Sequence, residues 1–443
     1  MLNSESVDND TWLSKLATTS GEWLRGDGPE SDIVISSRVR LARNVAGFPF
    51  VSRSSADIRH QIVQLVHESL SGTSQPPRRF VNVETLSALD CQFLMERQLI
   101  SRELARSDGP RAVVIADGER QSVMVNEEDH LRIQVLHSGL ALEECWKECD
   151  QLDDQIEASI PWSVHPQFGY LTACPTNAGT GIRISVMLHL PGLRLNRDIQ
   201  KVNNTAQKLS LAVRGLYGEG SQALGDFYQL SNQVTLGMSE ADLLGHVQRV
   251  VLQVISWERK VRETLLRDGR GKLHDQVARA FGTLTSARTI SSEETMHLLS
   301  IVRMGLRLGL VSNLDVGAIN ELFIHTQPAH LQKLQALKPA LEDIKSLAGS
   351  TPAALSRIQA TSAQILAGVS AILAPEDLRA AHALLVSACT LADSAARIRR
   401  EAVISGDIKR AWDASSAAAG ALMLTARAQA DIQAMLKPPV PIK

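Results

Sequence analysis

The chain has 443 residues, 46 basic against 48 acidic, a net charge of −2, and a composition that is 44% hydrophobic but only 4% aromatic. This supplies a buried core for two or three domains and excludes bulk attraction to nucleic acid or an anionic membrane, so any polyanion site must be a local cluster. Five cysteines without a Cys-x-x-Cys pair argue against a disulfide framework or zinc ribbon; a polar start and no long apolar run predict a soluble, cytoplasmic chain without leader or span.

Residues 1–30 read as a polar lead. From 31 to 245 strand and helix patterns mix. Ile33-Val34-Ile35 opens a strand that carries Ser36-Ser37-Arg38-Val39-Arg40-Leu41-Ala42-Arg43. Further strands are expected at 111–115, 121–125, 131–136, 170–174 and 182–190, and helices around 56–70, 84–106 and 196–213. Short Gly- or Asp-containing links such as Asp117-Gly118 favour an antiparallel sheet with helices packed on one face. From Ser239 the pattern turns helical, and Ser291-x-x-Glu294 forms a capping box. This predicts a helical domain over 246–348. An Ala-rich extension over 349–436 reads as three helices, broken near Pro375 and at Ser405-Gly406. The Pro-rich tail 437–443 is expected to be disordered. The fold class is therefore α+β followed by all-helical parts.

Residues two apart on a strand share a face, so Arg38 and Arg40 project together, opposite Val39 and Leu41. Such a pair fits either a solvated basic edge or a site for a phosphate chain, whose geometry suits two guanidinium forks. Asn126-Glu127-Glu128-Asp129-His130 sets three carboxylates in the turn before Leu131-Arg132-Ile133. Acid runs in turns are commonly solvated, but this one joins two strands, and a fixed carboxylate beside Arg132 can orient a cationic nucleophile. Cys174 enters a Gly-rich loop ahead of the alternating strand that carries Arg183, so a stabilised thiolate competes there with an inert core thiol. Cys145 and Cys149 read as ordinary thiols, and His189 as a structural histidine. Arg214 precedes a Gly-flanked loop with Glu219. Gly218-x-Gly220-x-x-Ala223 follows a helix and is discounted as a dinucleotide fingerprint, and neither a Walker A motif nor an eukaryotic-type kinase signature is present.

The blocks Ser36–Arg43, Asn126–Arg132, Cys174–Arg183 and Arg214–Glu219, with Gln229–Leu236 and the segment from Ile319 to Leu331, closely resemble the phosphagen (guanidino) kinases, and among them the McsB-type protein arginine kinases. The resemblance implies a glutamine-synthetase-like catalytic domain followed by a helical one, ATP and Mg2+ as cosubstrate and cofactor, and phosphoarginine as product. By the same resemblance Ser37, Arg38, Arg40, Arg132, Arg183 and Arg214 bind ATP. Glu128 positions and deprotonates the acceptor guanidinium, Cys174 contacts it from the other side, and Glu219 is a second acid near substrate or magnesium. No residue is assigned as a direct protein ligand to metal. The implied partners are protein substrates with exposed arginines, a zinc-finger activator and a Clp-type protease.

Two departures stand out. Gln222 occupies a place where small-molecule phosphagen kinases carry a Glu, and the stretch Lys338–Asp343 lacks the Arg-Asp-x-x-Arg-Ala element of McsB-type enzymes. Only 35 residues precede the Ser-Ser-Arg block, where small-molecule kinases place a helical domain; the expectation is an open site that a polypeptide can enter. The alternatives are a kinase for free arginine or another small guanidino compound, and an inactive kinase-like adaptor. Residues 350–443 are expected to stabilise or dimerise the chain; Arg397, Arg399, Arg400 and Lys409 raise the alternative of a substrate-docking or phosphoarginine-reading module.

Overall fold

In a computed structural model, the residues described are 12–13, 16–17, 19–70, 77–215, 224–287, 290–312, 314–335, 344–345, 352–371 and 379–435. Ten strands are assigned among them: β1 (Val34–Arg43), β2 (Arg78–Asn82), β3 (Ala112–Ala116), β4 (Gln121–Val125), β5 (Leu131–Ser138), β6 (Val164–His165), β7 (Gly169–Tyr170), β8 (Ile182–His189), β9 (Leu211–Arg214) and β10 (Phe227–Asn232). Eight form one sheet in the order β2-β3-β4-β5-β1-β8-β10-β9, and every neighbouring pair is antiparallel. β6 and β7 make a separate hairpin.

Strand alternation decides what each face carries. Val39 and Leu41 of β1, Ile133 and Val135 of β5, and Ile182, Ile184 and Val186 of β8 point into one core. That core is covered by the helices Ala56–Leu70 and Leu142–Glu157 and by the first half of the long helix Glu240–Ser286. Cys145 and Cys149 lie in it, fully buried, as ordinary core thiols. The opposite face is divided. At one end Ile35, Leu136, Met187 and Phe227 pack with Met296, Leu299, Val302 and Phe323 of the helices Ser292–Arg307 and Val316–His325. At the other end the same face carries Arg38, Arg40, Arg132, Gln134 and Arg183 and is open. Helices therefore cover both faces, not one.

The expected cap holds: the Ser291 hydroxyl accepts from Glu294 N at 3.1 Å. The same is true of Ser239, which accepts from Asp242 N at 3.2 Å. His189 is a structural histidine, buried between Ser300 Oγ (2.9 Å) and Arg303 Nη1 (3.0 Å). Three expectations give way. The helix over 196–213 ends at Lys208; Ser210 adopts φ 56°, and Leu211–Arg214 instead pairs with β10. The segment 84–106 is two helices, Ala88–Glu96 and Arg102–Arg106. The strand at 170–174 is reduced to Gly169–Tyr170, because Pro175 opens a 3-10 turn directly after Cys174.

The chain divides into two compact units, Ser20–Leu284 with Thr289–Gln327, and the described parts of 1–19, 285–288 and 328–443. The boundary expected at 245/246 falls inside the helix Glu240–Ser286, whose Val247, Val250, Val251 and Val254 belong to the sheet's own core. In the second unit the three expected helices are Pro352–Ala371, Arg379–Ser405 and Ile408–Met435. They meet through Leu355 and through Ala392, Ala395, Ala396, Ala414, Ala418 and Ala421, whose small side chains let backbones approach closely. The turn expected at Ser405-Gly406 is present, with Gly406 at φ 69°. Pro375, 437–443, Glu219, Gln222 and 338–343 lie outside the described residues. Among the described residues no helix is long and apolar enough to cross a membrane.

Candidate active site

A cleft of about 510 Å3 opens on the basic part of the sheet, and its walls include Arg38, Arg40, Arg132, Arg183, Arg214, Glu128 and Cys174. Seven side chains singled out from separate stretches of sequence thus converge. β1 supplies Arg38 and Arg40, β8 Arg183, the end of β9 Arg214, and the β4–β5 turn with the start of β5 supplies Glu128 and Arg132.

Register sets the charge density. Arg40 is the direct partner of Arg183 across β1 and β8, and Ala42 is the partner of Arg132 across β1 and β5. Like charges directly opposite on a sheet are unfavourable. Arg38 is held by Ser185 Oγ (3.2 Å) and Gln98 Oε1 (3.3 Å), and Arg183 by Ser231 Oγ (3.4 Å). Burial, then Arg183 and Arg132, push the pKa of Arg38 down to about 10. Burial followed by Arg38, Arg132 and Arg183 pushes Arg40 well down too, with Glu127 opposing. A guanidinium nonetheless stays protonated, so these effects are a destabilisation that a bound polyanion relieves. The buried Nε of Arg40 has no hydrogen-bond partner among the described residues. That is what a phosphate chain fits.

The acid run at 126–130 is not a solvated turn. Asn126, at φ 58°, closes it through its N–H to His130 O (2.8 Å) and anchors it through Nδ2 to Arg59 O and Pro110 O. His130 Nδ1 accepts from Val45 N (3.0 Å) while Nε2 lies 2.9 Å from Pro49 O; burial lowers its pKa, against the Pro49 carbonyl and Asp129. The three carboxylates then divide. Glu127 is buried, bound to Arg132 Nη1 at 2.6 Å and to the N–H of Glu128 at 3.0 Å. Glu128 is 44% exposed and only loosely tied to Arg132, at 3.3 Å. Burial raises its pKa, with Asp129, Glu127 and Glu103 adding and Arg132 opposing. Asp129 is fully buried and accepts from Asn44 Nδ2 (2.7 Å) and from Ala173 N (2.6 Å).

Cys174 is partly exposed, its Sγ 3.0 Å from Thr176 Oγ1 and its carbonyl bound by Thr172 Oγ1 at 2.7 Å. Ser37 is not part of the cleft. One residue from Arg38, it points to the opposite face, where its hydroxyl donates to Gly139 O (2.8 Å) and accepts from Ala141 N (3.0 Å); strand parity keeps its side chain out of the cleft. Further cleft residues are Gln98, Glu103, Glu127, Gln134, Thr176 and Gln229. Glu127 was visible within the acid run, whereas Gln98 and Glu103 come from a loop and a short helix that carry no motif. Among the described residues no group of three His, Cys, Asp or Glu could hold a metal ion.

The family model described as ATP:guanido phosphotransferase, C-terminal catalytic domain, matches residues 58–261, and that of the protein-arginine kinase McsB C-terminal domain matches residues 270–346. A protein-arginine kinase of Halothermothrix orenii is 42% identical over 325 residues, 73% of this chain and 93% of its own length. One of Moorella thermoacetica is 44% identical over 321 residues, 71% of this chain and 91% of its own. A crystal structure of a lombricine kinase aligns over 58% of this chain and 71% of its own, with 22% identity and a TM-score of 0.48. With the arginine-lined cleft, the acid turn and the partly exposed thiol in one place, and with relatives of this identity matched over nearly their full length, the chain belongs to the protein-arginine kinase family of ATP:guanido phosphotransferases.

Proposed function

We propose that this protein transfers the γ-phosphoryl group of ATP to the guanidinium of arginine side chains in other proteins. The observation that carries the reading is the meeting, in one cleft, of five arginines with Glu128 and Cys174. Arg38, Arg40, Arg132, Arg183 and Arg214 hold the phosphate chain and take up the charge that spreads over the transferring group, a reaction that asks for in-line placement more than covalent help. Glu128 holds the acceptor nitrogen and removes its proton as the N–P bond forms; an acceptor with a pKa above about 12 is otherwise no nucleophile. A raised pKa suits that base. Cys174 lines the same cleft and braces the acceptor from the other side. Mg2+ would enter with the nucleotide's phosphates and would add positive charge there; among the described residues no cluster of His, Cys, Asp or Glu could hold it.

The match to the McsB C-terminal domain supports a protein acceptor over a free guanidino metabolite. Assaying an unfolded Arg-rich protein beside free L-arginine, with phosphoarginine mapped by mass spectrometry, tests this; turnover of the free amino acid alone overturns it. We further propose a cytoplasmic setting, supported by five unpaired thiols. A zinc-finger activator, a Clp-type protease and a homodimer are proposed on the family resemblance.

A further inference from the structure

The wall of the cleft that carries Cys174 is backed by two segments that the reaction does not use. Thr235 Oγ1 donates toward the carbonyls of Ala178 (2.6 Å) and Thr176 (3.0 Å), fixing the stretch after β10 against the Cys174 loop. On the loop's other side Tyr170 N donates to Gly179 O at 2.8 Å, and Leu171 N to Ser163 O at 2.9 Å, fixing the β6–β7 hairpin. Gly179, at φ 102°, is pressed between them: an added Cβ there would lie 2.9 Å from Leu236 Cα, and one on Gly169 would lie 2.4 Å from Gly179 O. Three layers of chain thus stack edge to edge, and the middle one turns Cys174, Thr176 and Asn177 into the cleft.

Both outer layers expose large apolar side chains to solvent. Val164 (54% exposed) and Phe168 (50%) lie on the hairpin; Val234 (46%), Leu236 (50%) and Met238 (38%) lie on the stretch after β10. Scattered exposed apolar side chains mean little, but a cluster beside a catalytic wall marks a contact surface. We infer that this ledge, centred on Leu236 and Phe168, docks an apolar side chain of the protein substrate two positions from the target arginine. The inference rests on the protein-acceptor reading above. The occupant follows from geometry: when an arginine of an extended chain enters the cleft, the side chains at the second positions on either side point to the same face. They lie about 7 Å along the chain, and the ledge adjoins the cleft through Gly179, which touches both of its segments two residues before the cleft-lining Gly181. Burying an aliphatic side chain on an open surface recovers part of its transfer free energy.

Four Arg-centred peptides with Leu or Ser at the second position on either side test this, with phosphorylation rates and binding by fluorescence anisotropy read in parallel. The expected result is a kcat/KM about fivefold higher for Leu at one of the two positions, carried in KM. That preference falls to about one in Leu236→Ser and in Phe168→Ser. Equal rates and equal binding for Leu and Ser peptides in the wild type overturn the ledge and leave the kinase reading standing. A preference that survives both substitutions also overturns it. Selective binding without phosphorylation keeps the ledge and sinks the kinase reading. If Leu236→Ser changes sedimentation from dimer to monomer with peptide preference intact, the ledge belongs to a second copy of the chain and the inference fails.

Discussion

Asp129 Oδ1 accepts the Ala173 N–H at 2.6 Å, so the carboxylate next to Glu128 in sequence holds the loop that carries Cys174. Its other bond, from Asn44 Nδ2, ties both to the end of β1. Glu128 and Cys174 are therefore set relative to each other by a side chain that touches neither substrate. Asp129→Ala is expected to lower kcat about 100-fold, the cost of a misplacement near 1 Å, while ATP affinity holds. It also takes the acceptor from the Ala173 N–H, while Asn44 Nδ2 keeps its bond to Leu171 O at 3.0 Å, and lowers stability by about 1 kcal/mol. Nucleotide titration beside steady-state kinetics separates this from a general loss of fold.

The nucleotide-free cleft is charged against itself. Arg40→Met removes the partner that Arg183 repels and keeps an apolar stem of similar length. The thermal midpoint without nucleotide is expected to hold or rise, since replacing a buried unpaired charge by a hydrophobe is neutral or favourable. ATP affinity should fall about 30-fold, the value of one or two charge-assisted bonds. Scanning calorimetry with and without ATP reads both effects, because bound ligand raises the midpoint with the logarithm of its affinity. A lower midpoint with unchanged ATP affinity would sink this account of the cleft.

Glu128→Gln and Cys174→Ala should each spare ATP binding. The first is expected to cost about 1,000-fold in phosphoarginine formation, within the range of a lost general base; if both leave the rate unchanged, the acceptor site lies elsewhere.

Acidity gives an independent check on Glu128. Its raised pKa means that the base is ionised above that value and protonated below it. The wild-type rate should fall on acidification at a higher pH than an ordinary glutamate, near about 4.3, would give. The sign for stability is opposite. The fold disfavours the charged form, so this group's contribution is present at low pH and is lost as pH rises through the folded value. Glu128→Gln should therefore be no less stable than wild type at neutral pH. A pH–rate profile and a melt at two pH values measure both.

The three Ala-lined helices have a core that shares no residue with the cores of the catalytic unit. Deleting residues 350–443 should leave the rate on short Arg peptides within about twofold and change the range of whole proteins that are phosphorylated. Phosphoproteomes of the two forms against one lysate compare them. An identical substrate range would leave the extension a purely stabilising or dimerising part.

Much of the cleft was legible because β-strand parity is a rigid rule: once Ile33–Leu41 reads as a strand, Arg38 and Arg40 must share a face, and the same holds for Arg183 on β8. Parity also shows why Ser37 falls outside, which a motif reading block by block overlooks. The strand Leu211–Arg214 was hidden, since its Leu-Ala-Val pattern continues a helical one and only pairing with β10 decides the matter. The two-faced cover of the sheet was hidden for a related reason. Ile35, Leu136 and Met187 occupy the same face as the arginines, and no local pattern says where along that face apolar gives way to basic. The separate tasks of Glu127, Glu128 and Asp129 depend on Arg132, Ala173 and Asn44, which lie 4 to 85 residues away from them in sequence.

The pairing that sets Arg40 against Arg183 is the same pairing that sends Val39 and Leu41 into the core. A slip of one position along β1 would drive both its arginines into hydrocarbon and turn its aliphatics outward. Competence to grip a triphosphate is thus a report on correct strand assembly, and misassembled chains would reveal themselves by failing to retain nucleotide before any loss of catalysis is measured.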